Sequence, residues 1–396
     1  MDPKLDITLQ PGHPDFLDLP WHLPLSQWQG NCARLEEAPR GLSRHPVLFV
    51  NYGGVLYALK ELPRQLAEQE YHHLCEIEAR RLPVVQPVGF LRLSWPDEAR
   101  SVLITRYLEY SLPYRSLFMS SGLDRYREHL LDAMAGLLVQ LHLADVFWGD
   151  CSLSNTLFRR DAGTLQAYLV DAETAEVTGD ISPALRYQDL EIMEENVRGD
   201  LGDMASTASL ALNIPVSDVS ASIRLRYIRL WEEITQETVI NPGEHYRIHE
   251  RIRALNALGY SVGEVELLKG ENGDQLRLRV VVSDRNFHRN RLLSLTGLAV
   301  EENQARAMMN EIQEYKATLS QENNRSTPLS VAAYYWLENV YTPTVERLQP
   351  ILGPDTDSGE LYIQVLEHKW YLSEQAHKDV GHMTAAEDFI EHYRHA

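Results

Sequence analysis

The first 107 residues of the chain contain short runs of predominantly apolar, β-branched and aromatic residues, which are typical of β-strands. The strand-like segments cover residues 33–36, 47–50, 55–60, 91–93 and 101–107. Asn51-Tyr52-Gly53-Gly54 separates the second segment from the third, and asparagine with glycine is typical of a tight hairpin turn. We therefore predict antiparallel strands, with a loop over residues 37–45 between the first two.

Farther along the chain, apolar residues recur every three to four positions, which indicates amphipathic helices. The predicted elements are a helix over residues 66–82, the clearest helix over 124–142, a polar loop over 147–157, a strand over 165–170 and a helix over 187–204. Residues 154–158 lead from the polar loop into a strand that can pair with 165–170. This hairpin would bring the loop close to the residues that follow the second strand.

The pattern changes from about Ser217 onward. Helices are predicted over residues 223–235, 248–258, 301–320, 329–349, 358–377 and 384–394. Between them, residues 262–268 and 276–282 alternate as a β-hairpin, with Gly270–Asp274 as its turn. We predict a mostly helical C-terminal domain that contains a β-hairpin, over residues 217–396.

Composition and charge narrow the function classes. The 396 residues carry a formal net charge of −20, which disfavours binding to nucleic acid or to anionic membranes. Three cysteines without paired spacing argue against a disulfide framework, so we expect a reducing, cytoplasmic location. The sequence shows no signal peptide and no apolar run long enough to span a membrane. Residues 1–23, rich in proline and aspartate, are expected to form an extended arm.

Three polar residues are candidates for chemistry. Asp150 and Asn155 lie five positions apart in the polar loop, and Asp171 follows the strand over residues 165–170. Asp150 could orient or deprotonate an acceptor hydroxyl, and Asn155 with Asp171 could bind Mg²⁺, which prefers hard oxygen ligands. The competing interpretation is a polar hairpin with carboxylates on its surface.

Lys60, at the end of the third predicted strand, could offset the negative charge of a transferring phosphoryl group. A carboxylate on the next helix would hold this lysine, and Glu70 is the preferred candidate over Glu68, Glu76 and Glu78. The competing interpretation for Lys60 is a solvated lysine at a strand end.

The loop over residues 37–45 would lie over the phosphates. It contains a single glycine, Gly41, so anion contacts would come from its backbone N–H groups and from Ser43, Arg44 or His45. An ordinary surface loop is the alternative.

Ala58-Leu59-Lys60, Glu70, Gly149-Asp150 with Asn155, and Asp171 resemble the protein-kinase-like superfamily, specifically its bacterial lipopolysaccharide-kinase-like and small-molecule-kinase branch. The resemblance covers residues 33–205. Arg40–His45 and Tyr57–Pro63 are also similar to an uncharacterised bacterial family with an extra C-terminal domain of unknown function. The resemblance implies an α+β, bilobal protein-kinase-like fold that uses ATP and Mg²⁺. Its N-lobe would cover residues 24–113 and its C-lobe residues 114–216, followed by the additional domain.

Some features depart from protein kinases. The phosphate loop lacks its usual glycines, Trp148 stands two residues before Asp150, and Asp171-Ala172-Glu173 replaces Asp-Phe-Gly. We therefore predict an ATP- and Mg²⁺-dependent phosphotransferase acting on a hydroxyl of a sugar or small metabolite. Two alternatives remain: a degenerate nucleotide-binding scaffold with a partner-binding C-terminal domain, and a nucleotidyl transferase.

Four further features are singled out. Asp189 and Asp200 are candidates for anchoring the backbone of the polar loop, with exposed or N-capping aspartates as the alternative. His142 is read as a packed histidine. His245 and His249 could pair as metal ligands, although solvent-facing histidines are the preferred reading. Arg285, His288, Arg289 and Arg291 could bind an acidic face or form a solvated charge run.

Overall fold

The alternating residues near the N-terminus build a six-stranded antiparallel sheet with the order β1-β5-β6-β4-β3-β2. Its strands are β1 Lys4–Leu9, β2 Leu35–Glu36, β3 Val47–Tyr52, β4 Val55–Pro63, β5 Pro87–Ser94 and β6 Ala99–Arg106. The computed structural model describes residues 4–39, 44–63, 66–94, 99–119, 126–208, 216–240, 244, 246–269, 276–353 and 356–393.

Two compact units make up the chain. The first unit consists of Met1–Arg159 and Leu165–Glu233, and the second of Arg160–Thr164 and Ile234–Ala396. No helix in the described part of the chain is long and apolar enough to cross a membrane.

The N-terminal segment is part of the sheet, unlike the extended arm expected from its prolines. Lys4–Leu9 alternates in burial and pairs with β5 from Lys4 opposite Ser94 to Leu9 opposite Gly89. The strands come so close at Gly89 that a Cβ there would lie 2.2 Å from the carbonyl oxygen of Thr8. Burial of the following Phe16, Trp21 and Trp28 in the core of the sheet completes this attachment.

Side-chain alternation in β4 decides where Lys60 points. Tyr57 and Leu59 are buried in the core on one face of the sheet. Ala58 and Lys60 therefore face the opposite side, because successive side chains of a strand point to opposite faces. Helix α1, Leu66–Ala79, packs against β4, β5 and β6 and carries the buried Glu70.

Short strands and long helices form the rest of the first unit. Its elements are β7 Leu112–Pro113, α2 Tyr114–Met119, α3 Arg127–Leu143, β8 Val146–Phe147, β9 Thr156–Asp161, β10 Thr164–Leu169, β11 Glu176–Val177, α4 Pro183–Ala208 and α5 Val216–Thr235. The order β10-β9-β7 confirms the predicted hairpin, and β8 pairs with β11. Helix α3 is buried along most of its length and leads the chain into the loop between β8 and β9.

The second unit is mostly helical. Its elements are β12 Thr238–Ile240, α6 Tyr246–Ala257, β13 Ser261–Lys269, β14 Leu276–Asp284, α7 Phe287–Thr296, α8 Glu302–Glu322, α9 Leu329–Trp336, α10 Thr342–Arg347, α11 Ser358–Ala376 and α12 His382–Tyr393. The hairpin of β13 and β14 is as predicted, whereas its predicted turn lies outside the described residues. Residues 329–347 are interrupted by a π-helical turn at Leu337–Tyr341.

The basic stretch of the second unit forms contacts within its own unit. Its residues lie on or next to α7, an element that the sequence analysis did not predict. The backbone N–H groups of His288 and Arg289 donate to the buried Glu302, and the guanidinium of Arg289 lies 4.0 Å from Glu301. Part of the basic character therefore offsets buried carboxylates nearby. The pairing of His245 with His249 stays a prediction, because His245 lies outside the described residues.

Candidate active site

Two carboxylates of helix α4 accept hydrogen bonds from the backbone of the loop between β8 and β9. Buried Asp189 accepts hydrogen bonds from the backbone N–H groups of Trp148 and Gly149, both at 2.8 Å. Asp200 accepts one from the N–H of Ser154 at 3.0 Å. Both residues therefore anchor the backbone of this loop, as predicted. Because these N–H groups have no partner within a helix or sheet, the carboxylates satisfy donors that would otherwise be buried and unpaired.

His142 is a packed histidine, as expected. Its Nε2–H donates to Asp189 at 3.1 Å, and its Nδ1 accepts from the hydroxyl of Tyr227 at 2.7 Å. Burial lowers the pKa of His142, although Asp189 opposes this shift. Burial also raises the pKa of Tyr227 to about 12, so its hydroxyl stays a donor. The neutral ring thus orients Asp189 under the loop without adding a buried charge.

Asp150 is oriented by two amide groups. The side-chain nitrogen of Asn155 donates to the Asp150 backbone carbonyl at 3.1 Å and to its Oδ2 at 3.0 Å. Asn196 of α4 donates to the other carboxylate oxygen at 2.8 Å. Because the side-chain nitrogen of Asn155 faces Asp150, its amide oxygen points away from that carboxylate.

Lys60 lies between two carboxylates of different elements. Its Nζ donates to both oxygens of Glu70 at 2.9 and 3.0 Å and to Oδ2 of Asp171 at 2.6 Å. The side chain of Glu70 is fully buried, whereas those of Lys60 and Asp171 are 13% and 26% exposed. Glu70 of helix α1 therefore binds the lysine on its buried side, and Asp171 binds it on the side that is open to solvent.

The charges of this triad are strongly coupled. Burial raises the pKa of Glu70 to about 8; the charge of Asp171 adds to this shift and Lys60 opposes it. Burial also lowers the pKa of Lys60, but the carboxylates of Glu70 and Asp171 outweigh this effect and raise it overall. The lysine therefore keeps its positive charge at neutral pH.

Trp148 connects the loop to the segment that carries Asp171. Its indole N–H donates to the carbonyl of Asp171 at 3.0 Å, and its own carbonyl accepts from the hydroxyl of Thr174 at 2.8 Å. On the other side, the ring of His73 on α1 hydrogen-bonds the carbonyl of Ala172 at 2.8 Å. The buried indole thus positions Asp171 relative to Asp150, which gives a structural reason for tryptophan at this position.

Two adjoining cavities meet at Asn155 and Asp171. The larger, of about 400 Å³, is polar and includes Asp150, Arg44 and His45 in its lining. The smaller, of about 100 Å³, is mainly apolar and is lined by Val47, Phe49, Ala58, Lys60, Val85, Tyr107, Leu108, Leu157 and Val170, among others. A flat apolar group could enter the smaller cavity, and polar groups attached to it would then reach Lys60 and Asp171.

The structure brings most of the predicted site residues together. Lys60, Asp150, Asn155 and Asp171 line the two cavities, and Glu70 binds Lys60 from behind. Of the four residues named in the phosphate loop, Arg44 and His45 line the larger cavity. Gly41 and Ser43 lie outside the described residues, so their part in the site stays a prediction.

Residues 55–208 match the lipopolysaccharide kinase (Kdo/WaaP) family, and residues 229–393 match a domain of unknown function, DUF4032. The kinase-like part of the chain is therefore similar to the lipopolysaccharide kinase family. A solved structure described as WaaP in complex with acyl carrier protein is similar, with 15% identity and a TM-score of 0.36. The alignment covers 64% of this chain and 94% of that one. No curated protein sequence matches the chain.

Sequence reasoning missed two contributors to this kinase-like site. Asn196, which binds Asp150, lies seven residues after Asp189 and four before Asp200, so all three share one face of α4. That spacing was visible in the sequence and could have identified the asparagine. His73 gave no such signal, because its contact with Ala172 depends on how α1 packs.

Proposed function

We propose that this chain is an ATP- and Mg²⁺-dependent phosphotransferase whose acceptor is a hydroxyl group of a sugar or small metabolite. One observation carries the proposal: Lys60, Asp150, Asn155 and Asp171 surround one pair of joined cavities, and Glu70 holds the lysine. The match to a lipopolysaccharide kinase family supports the reaction class.

The smaller cavity would take the adenine ring. Its aliphatic and aromatic lining suits a flat base, and Tyr107 and Leu108 directly follow β6, a central strand of the sheet. The phosphates would then extend toward Lys60, whose ammonium group is already fixed by Glu70. This fixed positive charge can offset charge on the transferring phosphoryl group without reorganisation.

Asn155 and Asp171 would hold the magnesium. Their amide and carboxylate oxygens are the hard ligands that this ion prefers, and both residues lie where the two cavities meet. When bound, Mg²⁺ would neutralise part of the charge on the phosphates. Lys60 donates to Asp171 at 2.6 Å, so the lysine and the proposed metal ligand lie side by side where the phosphates would be.

Asp150 would orient the acceptor hydroxyl and take up its proton as the new bond forms between the acceptor oxygen and the γ-phosphorus. The bond from that phosphorus to the bridging oxygen breaks, and ADP leaves. The Asp150 carboxylate is fixed by Asn155 and Asn196 and lines the larger cavity. The hydroxyl and amide groups of Ser152, Ser154 and Asn196 also line this cavity and suit an acceptor with many hydroxyl groups.

The test measures transfer of label from γ-labelled ATP to a panel of sugars and metabolites. Wild type is compared with Asp150→Asn, Asp171→Asn and the control Asp180→Asn, which changes an exposed aspartate in the same unit. We expect label transfer with wild type and the control. We also expect a loss of at least about a hundredfold in both site variants, because general-base and metal contributions are each of that order.

The same experiment separates the alternatives. Label transferred from α-labelled ATP instead would establish nucleotidyl transfer. Mg²⁺-dependent ATP binding without transfer to any acceptor would contradict the catalytic claim and favour a nucleotide-binding scaffold. Unchanged transfer by Asp150→Asn would exclude the role assigned to Asp150.

A further inference from the structure

Helices α11 and α12 of the second unit bring two histidines and an aspartate together. His368 lies on α11, and Asp388 and His392 lie one turn apart on α12. The Nε2 of His368 is 2.6 Å from Oδ1 of Asp388, and the Nδ1 of His392 is 3.1 Å from the same oxygen. The three ligand atoms all lie within 4.8 Å of one another.

Packing between the two helices fixes this cluster. Their shared core includes Leu361, Val365, Ala385, Ala386 and Phe389. The ring of His368 contacts the ring of Phe389 edge-on, with centroids 5.8 Å apart, and lies 5.7 Å from the ring of His392. The apolar contacts therefore hold His368 over the turn that carries Asp388 and His392.

We propose that His368, Asp388 and His392 form a binding site for Zn²⁺. In a tetrahedral zinc site, bonds of about 2.0–2.2 Å place neighbouring ligand atoms about 3.4 Å apart. The two imidazole nitrogens lie 2.6 and 3.1 Å from the carboxylate oxygen and within 4.8 Å of each other, so side-chain rotations can bring all three separations to that value. Imidazole nitrogens select a transition metal over Mg²⁺ or Ca²⁺, which prefer oxygen ligands.

Three protein ligands leave one tetrahedral position for water. The side chains of His368, Asp388 and His392 are 19%, 35% and 71% exposed, so an ion and its water can reach the cluster from solvent. Each ligating nitrogen must be unprotonated to bind zinc. Metal uptake therefore competes with two hydrogen bonds, one from His368 to the Asp388 carboxylate and one from Nδ1 of His392 to the Asp388 backbone carbonyl at 2.8 Å. Zinc would replace the first of these as the link between α11 and α12.

The test is calorimetric titration of the full-length, untagged protein with ZnCl₂ in excess Mg²⁺, which fills sites made of oxygen ligands. Wild type is compared with His392→Gln and Asp388→Asn, and with the control His22→Gln, which changes an exposed histidine of the first unit. We expect wild type and the control to bind one more zinc ion per chain than the two cluster variants. If the variants still bind that ion, we expect their affinity for it to be at least tenfold lower.

Two further measurements keep the proposal falsifiable. His392 is largely exposed, so His392→Gln is expected to fold even if Asp388→Asn does not, and a thermal melt without metal checks this. Asp171→Asn should retain this zinc ion, which distinguishes the cluster from the proposed magnesium site. Equal stoichiometry and affinity in wild type and His392→Gln would overturn the proposal. A Co²⁺ spectrum that is octahedral and unchanged in that variant would do the same.

Discussion

Replacing Gly149 with alanine would test how closely the loop before Asp150 fits the segment after Asp171. Gly149 has a φ of +77°, and a Cβ there would lie 2.9 Å from the carbonyl oxygen of Thr174 and 3.1 Å from the ring of Phe147. Gly179, in the same unit, has a φ of +78°, but a Cβ there would meet no atom within 4 Å. The two variants share the backbone strain, and only Gly149→Ala adds a steric conflict.

The expected magnitudes differ accordingly. A non-glycine residue in the left-handed region costs about 1–2 kcal/mol, which applies to both variants. At Gly149 the backbone of Thr174 must also move, which adds about 1–3 kcal/mol of overpacking. We therefore expect losses of unfolding free energy of about 1–2 kcal/mol for Gly179→Ala and about 2–5 kcal/mol for Gly149→Ala.

The functional consequence follows from the hydrogen bonds around Trp148. Thr174 donates to the Trp148 carbonyl, and Trp148 donates to the Asp171 carbonyl, so a displaced Thr174 moves the proposed magnesium ligand. We expect Gly149→Ala to weaken Mg²⁺-dependent ATP binding and Gly179→Ala to leave it unchanged. Urea unfolding and titration with ATP, with and without Mg²⁺, measure both effects. Equal stability losses in the two variants, or wild-type nucleotide binding by Gly149→Ala, would refute the reasoning.

Three further predictions concern buried charges. Lys60→Met should lower ATP affinity at least tenfold in a binding titration. The variant should still fold, because the raised pKa of Glu70, about 8, allows the buried carboxyl to become neutral. Unchanged affinity would argue against phosphate binding by Lys60. Asp189→Asn should lower the unfolding free energy by about 2–4 kcal/mol, because a buried acceptor of charge-assisted hydrogen bonds is lost. In the same urea unfolding assay, the exposed control Asp180→Asn should change the unfolding free energy by less than about 0.5 kcal/mol. Burial raises the pKa of Glu311, but hydrogen bonds from His382, Tyr362 and Trp336 outweigh this effect and leave the pKa below its ordinary value of 4.5. The Glu311 carboxylate therefore stabilises the fold above pH 4.5, and this stabilisation is lost as the pH falls through the lowered pKa. Thermal melts over this acidic range should show a smaller loss of stability for Glu311→Gln than for wild type.

Part of the candidate site could be predicted from local patterns. The alternation in β4 indicated a strand that ends at Lys60, and the spacing of Asp150, Asn155 and Asp171 indicated a hairpin with polar residues at one end. These features depend on neighbours in the chain, because strand alternation and turn chemistry are local properties. The match to the lipopolysaccharide kinase family confirms the fold class that the family resemblance of these residues implied.

Other parts depended on packing between distant segments. Glu68, Glu76 and Glu78 competed with Glu70 in the sequence, and only the packing of α1 on the sheet decided that Glu70 is buried against Lys60. The same holds for Trp148, whose contact with Asp171 spans 23 positions. Composition cannot reveal such contacts, because they require two elements to have fixed relative positions.

The N-terminal segment and the histidine cluster also show the difference between local sequence patterns and contacts that form only in the folded protein. Lys4–Leu9 carries strand alternation in its own sequence, but its pairing with β5 exists only in the folded sheet. His368 lies 20 positions before Asp388 and is close to it only because α11 packs on α12. The sequence by itself thus determined the strands, helices and order of polar residues along the chain. The tertiary structure decided which polar residues meet, because burial and packing between distant elements fix side-chain positions.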